Sequence, residues 1–530
     1  MSPTQKPQVQ NPQAKNPLNY PDSPKANQVD VYHGVSVSDP YRWLEDPSSD
    51  DSRTWIEAQN DVTFGYLAQI PQRATLKARL TQIWNYERYS TPFKRGGRYF
   101  FYKNDGLQNQ SVLYTLPTLE ADPTVLLDPN TLSEDGTVAL SGAAVSENGA
   151  YLAYGLSSSG SDWVEWKVRD ISTGQDLADH LKWVKFSGAS WTHDHQGFFY
   201  SRYDEPNESS KLEDVNYYQK LYYHRIGAPQ SEDELIYERP DQKEWGFNGS
   251  VTEDGRYLII YVWRGTDPKN LVFYKDLQDP NAEVVELISK FEAEFRLIDN
   301  EGSLFWFRTD LDAPRGRVIA IDITHPSQEN WREIIPQAEE TLSAVGILNH
   351  QFITDYLKDA HTDIKIFALD GAFIRSVELP GIGSAGGFDG KRQDTETFYS
   401  FTSYTTPNTI YHYNMVSGES TLFRQPQVNF QPDAYETQQV FYASKDGTRV
   451  PMFITHKKGL ALNGDNPTLL YGYGGFNISL TPAFSVSTLV WMEMGGVYAV
   501  PNLRGGGEYG EDWHQAGTKL NKQNVFDDFI

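Results

Sequence analysis

The residues whose types could do chemistry lie near the end of the chain, in two glycine-rich segments. Residues 468–476 read TLLYGYGGF, an apolar strand that enters a turn carrying a tyrosine hydroxyl, and residues 505–510 read GGGEYG. A hydroxyl held on a turn at the end of a strand is the kind of donor that stabilises the oxyanion of acyl transfer. The sequence therefore predicts one side of an acyl-transfer site.

A nucleophile to complete that site is missing from the sequence. A serine on a strand-to-helix turn needs the pattern G-x-S-x-G, which occurs nowhere in the 530 residues; the near match GASWT at Gly188 lacks the last glycine. Because the chain has no cysteine, a thiolate nucleophile is excluded as well. The sequence ends at Ile530, in a predicted helix that begins near Asn524 and is too short to be stable alone. We therefore expect half of an active site and an incomplete last domain.

Two other patterns could indicate a dinucleotide site and a metal site, but the surrounding residues argue against both. Residues 505–510 satisfy G-x-G-x-x-G, but Glu508 and Tyr509 give no clear helix start and no second strand follows to carry an acidic ribose ligand. His193 and His195 could be a metal pair, but alternate residues on a strand or turn face opposite ways. We expect no cofactor and no metal.

The bulk properties exclude several classes of partner. With a net charge of -25 and a pI near 4.8, the chain lacks the clustered cations that bind nucleic acid. The N-terminus has no apolar segment of the secretory kind, and no apolar run approaches the ~20 residues of a membrane span. We expect a cytoplasmic monomer that binds neither nucleic acid nor membrane.

The elements that must position the chemistry begin after a tail. Residues 1–27 are rich in Pro, Gln and Asn and are predicted to be disordered. Residues 28–85 are predicted to hold two helices, the first capped by Ser52 and the second marked by apolar residues at helical spacing.

A repeat of about 50 residues then dominates the chain. A polar turn with a glycine precedes an aromatic strand five times, at Gly97, Gly149, Gly197, Gly255 and Gly302. Similar turns without glycine follow near residues 349 and 394. This period suits a four-stranded propeller blade, so residues 86–437 are predicted to form a seven-bladed β-propeller. A tandem of β-sandwiches is the alternative.

The sequence pattern of residues 438–530 predicts an α/β domain. A hairpin is predicted around the turn at Asp446, and the apolar runs 468–471 and 497–500 suggest strands buried on both faces of a sheet. Fewer than a hundred residues are too few for a complete doubly wound sheet.

Ordered motifs along the chain resemble the prolyl oligopeptidase family. They are DVYHGVSVSDPYRWLEDP (30–47), GLQNQ (106–110), LSEDGTV (132–138), SGSDWV (159–164), KLYYH (220–224), YASKDGTRVPMFITHKK (442–458), YGYGGFNIS (471–479) and NLRGGGEYGEDW (502–513). The resemblance implies a mixed fold, a seven-bladed β-propeller capping an α/β-hydrolase domain that is incomplete here, with the N-terminal helices packed on the hydrolase part. It also implies a serine endopeptidase that cleaves short peptides on the carboxyl side of proline.

The resemblance carries over to two site residues. Tyr473 matches the family tyrosine whose hydroxyl stabilises the oxyanion, and Phe476 matches an aromatic residue of the proline pocket. The family's Ser, Asp and His have no counterpart in the chain, so the 530 residues are predicted to be inactive as written. A stand-alone propeller that binds peptides or acts as a scaffold is the alternative, and the coding sequence after Ile530 discriminates between the two.

Overall fold

The structure is a computed structural model that describes residues 18–206 and 216–530. Most of the predicted tail lies outside the described residues, and residues 18–27 form neither helix nor strand. The chain divides into two compact units, of which the first ends at Thr81 and the second is Gln82–Ile530. Among the described residues, no helix combines the length and apolar character that crossing a membrane requires.

The first unit contains a hairpin and the predicted helices. The hairpin is β1 (Val29–Tyr32) and β2 (Val35–Ser38), and the helices are α1 (Asp50–Ala68) and α2 (Arg73–Trp84), whose last turn lies in the second unit. The prediction that Ser52 caps the first helix is wrong, because Ser49 is the cap and its hydroxyl accepts a hydrogen bond from the Ser52 amide. Ser52 instead donates to the Trp43 carbonyl oxygen at 3.1 Å. Several residues of SSDDS can cap a helix, and the tertiary contact selects one.

Residues 88–424 form seven antiparallel sheets in chain order. Blade 1 contains β3 (Arg88–Tyr89), β4 (Phe93–Arg95), β5 (Arg98–Asn104), β6 (Val112–Leu116) and β7 (Thr124–Leu127). Blade 2 contains β8 (Val138–Val145), β9 (Tyr151–Ser158), β10 (Val164–Asp170) and β11 (Asp176–Val184). Blade 3 contains β12 (Ser190–Trp191), β13 (Gly197–Arg202), β14 (Lys220–Arg225) and β15 (Glu234–Tyr237).

The remaining four blades repeat this pattern. Blade 4 contains β16 (Trp245–Val251), β17 (Tyr257–Arg264), β18 (Leu271–Asp276) and β19 (Val285–Ile288). Blade 5 contains β20 (Phe295–Glu301), β21 (Leu304–Thr309), β22 (Arg317–Asp322) and β23 (Arg332–Ile335). Blade 6 contains β24 (Thr341–Leu348), β25 (Gln351–Lys358), β26 (His361–Ala368) and β27 (Phe373–Val377). Blade 7 contains β28 (Ser384–Gly387), β29 (Glu396–Thr402), β30 (Thr409–Asn414) and β31 (Ser420–Arg424), so the predicted seven-bladed propeller is confirmed.

Gly149, Gly255 and Gly302 lie in the turn between the first and second strands of their blades, and Gly97 lies in the turn between β4 and β5. Gly255 has φ +73° and a Cβ there would lie 2.5 Å from Cγ of His193, so both the backbone and the available space require glycine. Gly197 begins β13 instead, where a Cβ would collide with the Tyr223 ring at 2.6 Å. In blade 6, Asn349 takes the left-handed turn position with φ 48°, as asparagine does more readily than most residues.

Blades 2 to 6 each pack against a neighbouring blade on both faces. Along β17, Leu258 and Ile260 pack in a cluster with blade 3, whereas Tyr257 and Ile259 pack in a cluster with blade 5. Because successive residues of a strand point to opposite faces, both faces must be apolar. This explains why residues 257–263 form the continuous apolar run YLIIYVW. In a sheet with one face exposed to solvent, apolar and polar residues would alternate along the strand.

The last sheet belongs to the α/β domain. It contains β32 (Tyr435–Ala443), β33 (Arg449–Lys457), β34 (Thr468–Leu470) and β35 (Val497–Pro501) in the spatial order β32-β33-β35-β34. Strands β32 and β33 are the predicted hairpin, and β34 runs parallel to β35. The crossover between the parallel strands contains α3 (Val486–Glu493), and α4 (Glu511–Gln515) and α5 (Gln523–Phe529) follow β35.

Two details of this domain differ from the prediction. The predicted boundary between residues 437 and 438 lies inside β32, so the change from propeller to sheet falls between Arg424 and Tyr435. Within the residues that the structure describes, β34 lies at the edge of the sheet and all three of its residues are exposed, so the expected burial of residues 468–471 on both faces is not met there. An apolar run identifies a strand but does not reveal its place in the sheet.

Candidate oxyanion site

The turn that follows β34 carries both predicted site residues. The Tyr471 amide still pairs with the Ala499 carbonyl oxygen at 2.9 Å, after which the chain leaves the sheet. Gly474 has φ +63°, and a Cβ there would lie 2.5 Å from Cγ1 of Val525 and 2.9 Å from Cβ of Leu503. Only glycine fits a left-handed position packed this closely. The YGYGGF sequence thus produces a tight turn pressed against the residues beneath it.

Tyr473 projects from this turn with its ring 44% exposed. Within residues 18–206 and 216–530, its hydroxyl makes no hydrogen bond. A phenol with an unused donor, carried on a backbone that is held in place, can donate to a ligand oxygen without breaking an internal bond. This is the chemical property that an oxyanion donor needs.

Phe476 lies three residues further along the same turn and is 67% exposed. Its exposure excludes a place in the hydrophobic core. Phe476 and Asn477 both have left-handed backbones, with φ 52° and 58°. Such positions cost about 1–3 kcal/mol each for residues other than glycine and occur where surrounding contacts enforce them. The turn is therefore a strained element that holds an aromatic ring out into solvent.

The GGGEYG segment supplies several of those contacts. The Asn477 amide donates to the Gly505 carbonyl oxygen at 3.1 Å. A Cβ on Gly505 would lie 2.6 Å from the Gly474 carbonyl oxygen, and one on Gly507 would lie 2.7 Å from that of Asn477. The glycines therefore let two backbones touch.

Glu508 is the charged residue that the sequence reasoning missed. Its side chain is buried, and its Oε1 accepts hydrogen bonds from the Leu480 amide at 2.8 Å and from Nδ2 of Asn502 at 3.2 Å. Oε2 is buried without a partner among the described residues. Burial raises the pKa of Glu508 to about 7. The available signal was a lone glutamate between glycines directly after a buried strand.

An ion pair beneath the turn was also missed. Nη2 of Arg504 lies 2.6 Å from Oδ1 of Asp528, and both side chains are buried. The Arg504 amide donates to Oδ2 of the same carboxylate at 3.0 Å. Hydrogen bonding to Asp528 raises the pKa of the Arg504 guanidinium above its ordinary value. The pair fixes α5 against the loop that supports the YGYGGF turn (residues 471–476).

The rejected candidates lie in the propeller. Residues 188–192 (GASWT) contain β12, and Oγ of Ser190 accepts a hydrogen bond from the Val251 amide at 2.9 Å, so this serine is part of a blade. His193 and His195 lie in the turn that follows the same strand. In the described part of the chain, no group of three or more His, Cys, Asp or Glu side chains could hold a metal ion.

A seven-bladed propeller joined to hydrolase-type strands that end in a tyrosine-bearing turn defines the class of propeller-capped serine hydrolases. Residues 21–426 match the model of the prolyl oligopeptidase N-terminal beta-propeller domain, and residues 482–530 match the prolyl oligopeptidase family model. The chain belongs to the prolyl oligopeptidase family.

Individual relatives agree with the family match. The chain is 45% identical over 518 residues to the prolyl endopeptidase of Elizabethkingia miricola, covering 98% of this chain and 73% of that protein. A structure from an analysis of two prolyl endopeptidases superposes with a TM-score of 0.91 at 38% identity, covering 96% of this chain and 75% of the other. Prolyl oligopeptidase B from Galerina marginata, bound to a 25mer macrocyclization substrate, superposes with 0.90 at 33% identity over 97% of this chain and 76% of that one.

Proposed function

We propose that this protein is a proline-specific serine endopeptidase that cleaves short peptides on the carboxyl side of proline through an acyl-enzyme. The observation that carries the proposal is the YGYGGF turn, which holds two exposed aromatic side chains, Tyr473 and Phe476. The Tyr473 hydroxyl makes no hydrogen bond to the residues that the structure describes. The identity to prolyl endopeptidases over nearly the whole chain supports the same reaction.

Tyr473 donates its hydroxyl hydrogen to the oxyanion of the tetrahedral intermediate. A donor aimed at charge that develops in the transition state lowers the barrier without tightening ground-state binding. Phe476 forms one wall of the pocket that accepts the substrate proline, because a flat aromatic ring packs well on the face of a pyrrolidine. Its high exposure leaves the ring free to contact a ligand.

The partners are short peptides that contain proline. A protein with a net charge of -25 repels polyanions, so nucleic acid is not a partner. We place the protein in the cytoplasm as a monomer that does not bind membranes. Sedimentation equilibrium at micromolar concentration tests the oligomeric state, and fractionation of the native cells tests the location.

The 530 residues on their own are expected to have no peptidase activity. They contain no G-x-S-x-G nucleophile motif, and an oxyanion donor without a nucleophile forms no acyl-enzyme. The purified chain should leave a fluorogenic Gly-Pro substrate intact. Fusion of the chain to the residues that follow the match in the Elizabethkingia miricola enzyme should give hydrolysis after proline. Turnover by the unfused chain, free of contaminating peptidase, would contradict the prediction.

The fused enzyme also tests the role of Tyr473. Tyr473→Phe should lower kcat by about 100-fold to 1,000-fold, the usual effect of losing one oxyanion donor, and should change KM much less. The matched control is Tyr471→Phe, on the same turn. An effect of Tyr473→Phe on KM alone would show that the hydroxyl acts in ground-state binding.

A further inference from the structure

Glu508 and Tyr509 are neighbours in the GGGEYG segment, yet they make contacts in different domains. The Glu508 side chain accepts a hydrogen bond from the Leu480 amide, at the C-terminal end of the segment 471–480 that contains the YGYGGF turn. The hydroxyl of Tyr509 donates to Oδ1 of Asp359 in blade 6, at 2.7 Å. One short loop therefore touches both the strained turn and the propeller.

The hold on the turn is a two-sided clamp at Leu480. Oε1 of Glu508 accepts from the Leu480 amide at 2.8 Å, and Nδ2 of Asn502 donates to the Leu480 carbonyl oxygen at 2.6 Å. The same Nδ2 lies 3.2 Å from Oε1 of Glu508. This clamp fixes the C-terminal end of a turn whose Phe476 and Asn477 have left-handed backbones. A strained turn keeps its shape only while its ends are held.

The hold on the propeller also has two parts. Besides the bond from Tyr509 to Asp359, Oγ1 of Thr341 donates to the Glu508 carbonyl oxygen at 3.1 Å. Thr341 begins β24, and Asp359 lies in the turn between β25 and β26, so both belong to blade 6. Thr341 and Glu508 are buried, which makes their hydrogen bond costly to leave unmade.

We infer that Glu508 and Tyr509 are positioning residues that link the turn carrying Tyr473 to blade 6 of the propeller. Docking of blade 6 on this loop helps to hold the loop, and the loop holds the turn. The catalytic meaning of the link rests on the proposed role of Tyr473, whereas the link itself can be measured without catalysis.

Hydrogen exchange of the 530-residue chain, followed by mass spectrometry, measures the link. Tyr509→Phe removes one hydroxyl in contact with blade 6 and should speed exchange in residues 471–480 by about threefold to tenfold, the worth of one hydrogen bond. Glu508→Ala should speed it by about tenfold or more, and Glu508→Gln should restore the slow rate because an amide oxygen can still accept from Leu480. Residues 257–264 in blade 4 should not change in any variant.

The matched control is Tyr404→Phe. Tyr404 is another buried tyrosine, packed against Phe453 of the hydrolase sheet, and its hydroxyl has no partner among the described residues. Exchange in residues 471–480 should not change in this variant. If Tyr509→Phe speeds exchange only in blade 6, or Glu508→Ala leaves residues 471–480 unchanged, the link does not exist. Should Glu508→Ala fail to fold, Tyr509→Phe compared with Tyr404→Phe still decides the matter.

In the fused enzyme, Tyr509→Phe should lower kcat by about threefold to tenfold and leave KM unchanged, because positioning of the donor matters most in the transition state. Faster exchange with an unchanged kcat would overturn the positioning role. Loss of activity in the fused parent enzyme would count against the proposed function, and the exchange result would stand independently.

Discussion

Among the buried acidic residues that the structure describes, Glu508 is unusual because it has no cationic partner. Its side chain is 1% exposed, and its three hydrogen-bond contacts are a backbone amide, a side-chain amide and a threonine hydroxyl on its carbonyl oxygen. Burial raises the pKa to about 7 from an ordinary value of 4.5. A carboxyl in this state is protonated in the folded protein at a pH where the unfolded chain has already released the proton.

The sign of the pH effect follows from that shift. Between pH 4.5 and 7 the folded state binds the extra proton on Glu508, so the contribution of this one group to the free energy of unfolding falls as pH rises, by about 3 kcal/mol. Glu508→Gln cannot titrate and should lack this loss. Urea unfolding at pH 5 and pH 8 should therefore show the variant gaining about 3 kcal/mol relative to the parent at the higher pH. Equal pH dependence in both proteins would contradict the raised pKa.

At the scale of the elements, the blades depend on faces that are buried by their neighbours. In blade 4, Val262 of β17 is fully buried in the cluster shared with blade 3, whereas Val285 of the outer strand β19 is 45% exposed. The two valines have the same chemistry and differ in what surrounds them. Substituting each valine by alanine therefore separates the contribution of inter-blade packing to stability from that of strand propensity.

Val262→Ala should destabilise the propeller by about 2–3 kcal/mol, because it removes two buried methyl groups and leaves a cavity. Val285→Ala should cost less than about 1 kcal/mol, since the exposed side chain loses little burial. Urea unfolding followed by tryptophan fluorescence measures both. Equal losses in the two variants would indicate that strand propensity, rather than inter-blade packing, sets the stability of the blade.

At the scale of the whole molecule, a turn of blade 7 joins blades that are distant in sequence. The Arg392 amide donates to Oε1 of Glu253 in blade 4 at 2.9 Å, and its Nε donates to Oδ2 of Asp299 in blade 5 at 2.9 Å. Next to it, Nζ of Lys391 lies 2.8 Å from Oε2 of Glu147 in blade 2. Among the described residues, the strands of blade 1 and those of blade 7 form separate sheets, so no strand pairing closes the ring between these two blades. Side-chain bridges of this kind therefore help to hold the ring of blades together.

Arg392→Ala should destabilise the propeller by about 3–5 kcal/mol, because it leaves the buried carboxylate of Asp299 without its partner. The control is Arg296→Ala, in blade 5. The Arg296 side chain is exposed and its partner Glu294 keeps a second ion pair with Arg308, so the loss should be less than about 1 kcal/mol. The urea midpoints of the two variants measure the difference. A loss for Arg392→Ala no larger than that for the control would show that the bridge does not hold the blades.

The sequence by itself determined the local elements and their repetition. Turn glycines and apolar runs act over a few residues, so their spacing gave seven blades, and the ordered motifs gave the family and the YGYGGF turn. Tertiary structure alone decided that Ser49 caps α1 and that Glu508 clamps Leu480. These features depend on which distant segments meet. The partners of Glu508 at Leu480 and Thr341 lie 28 and 167 residues away in sequence, beyond the reach of any periodic pattern.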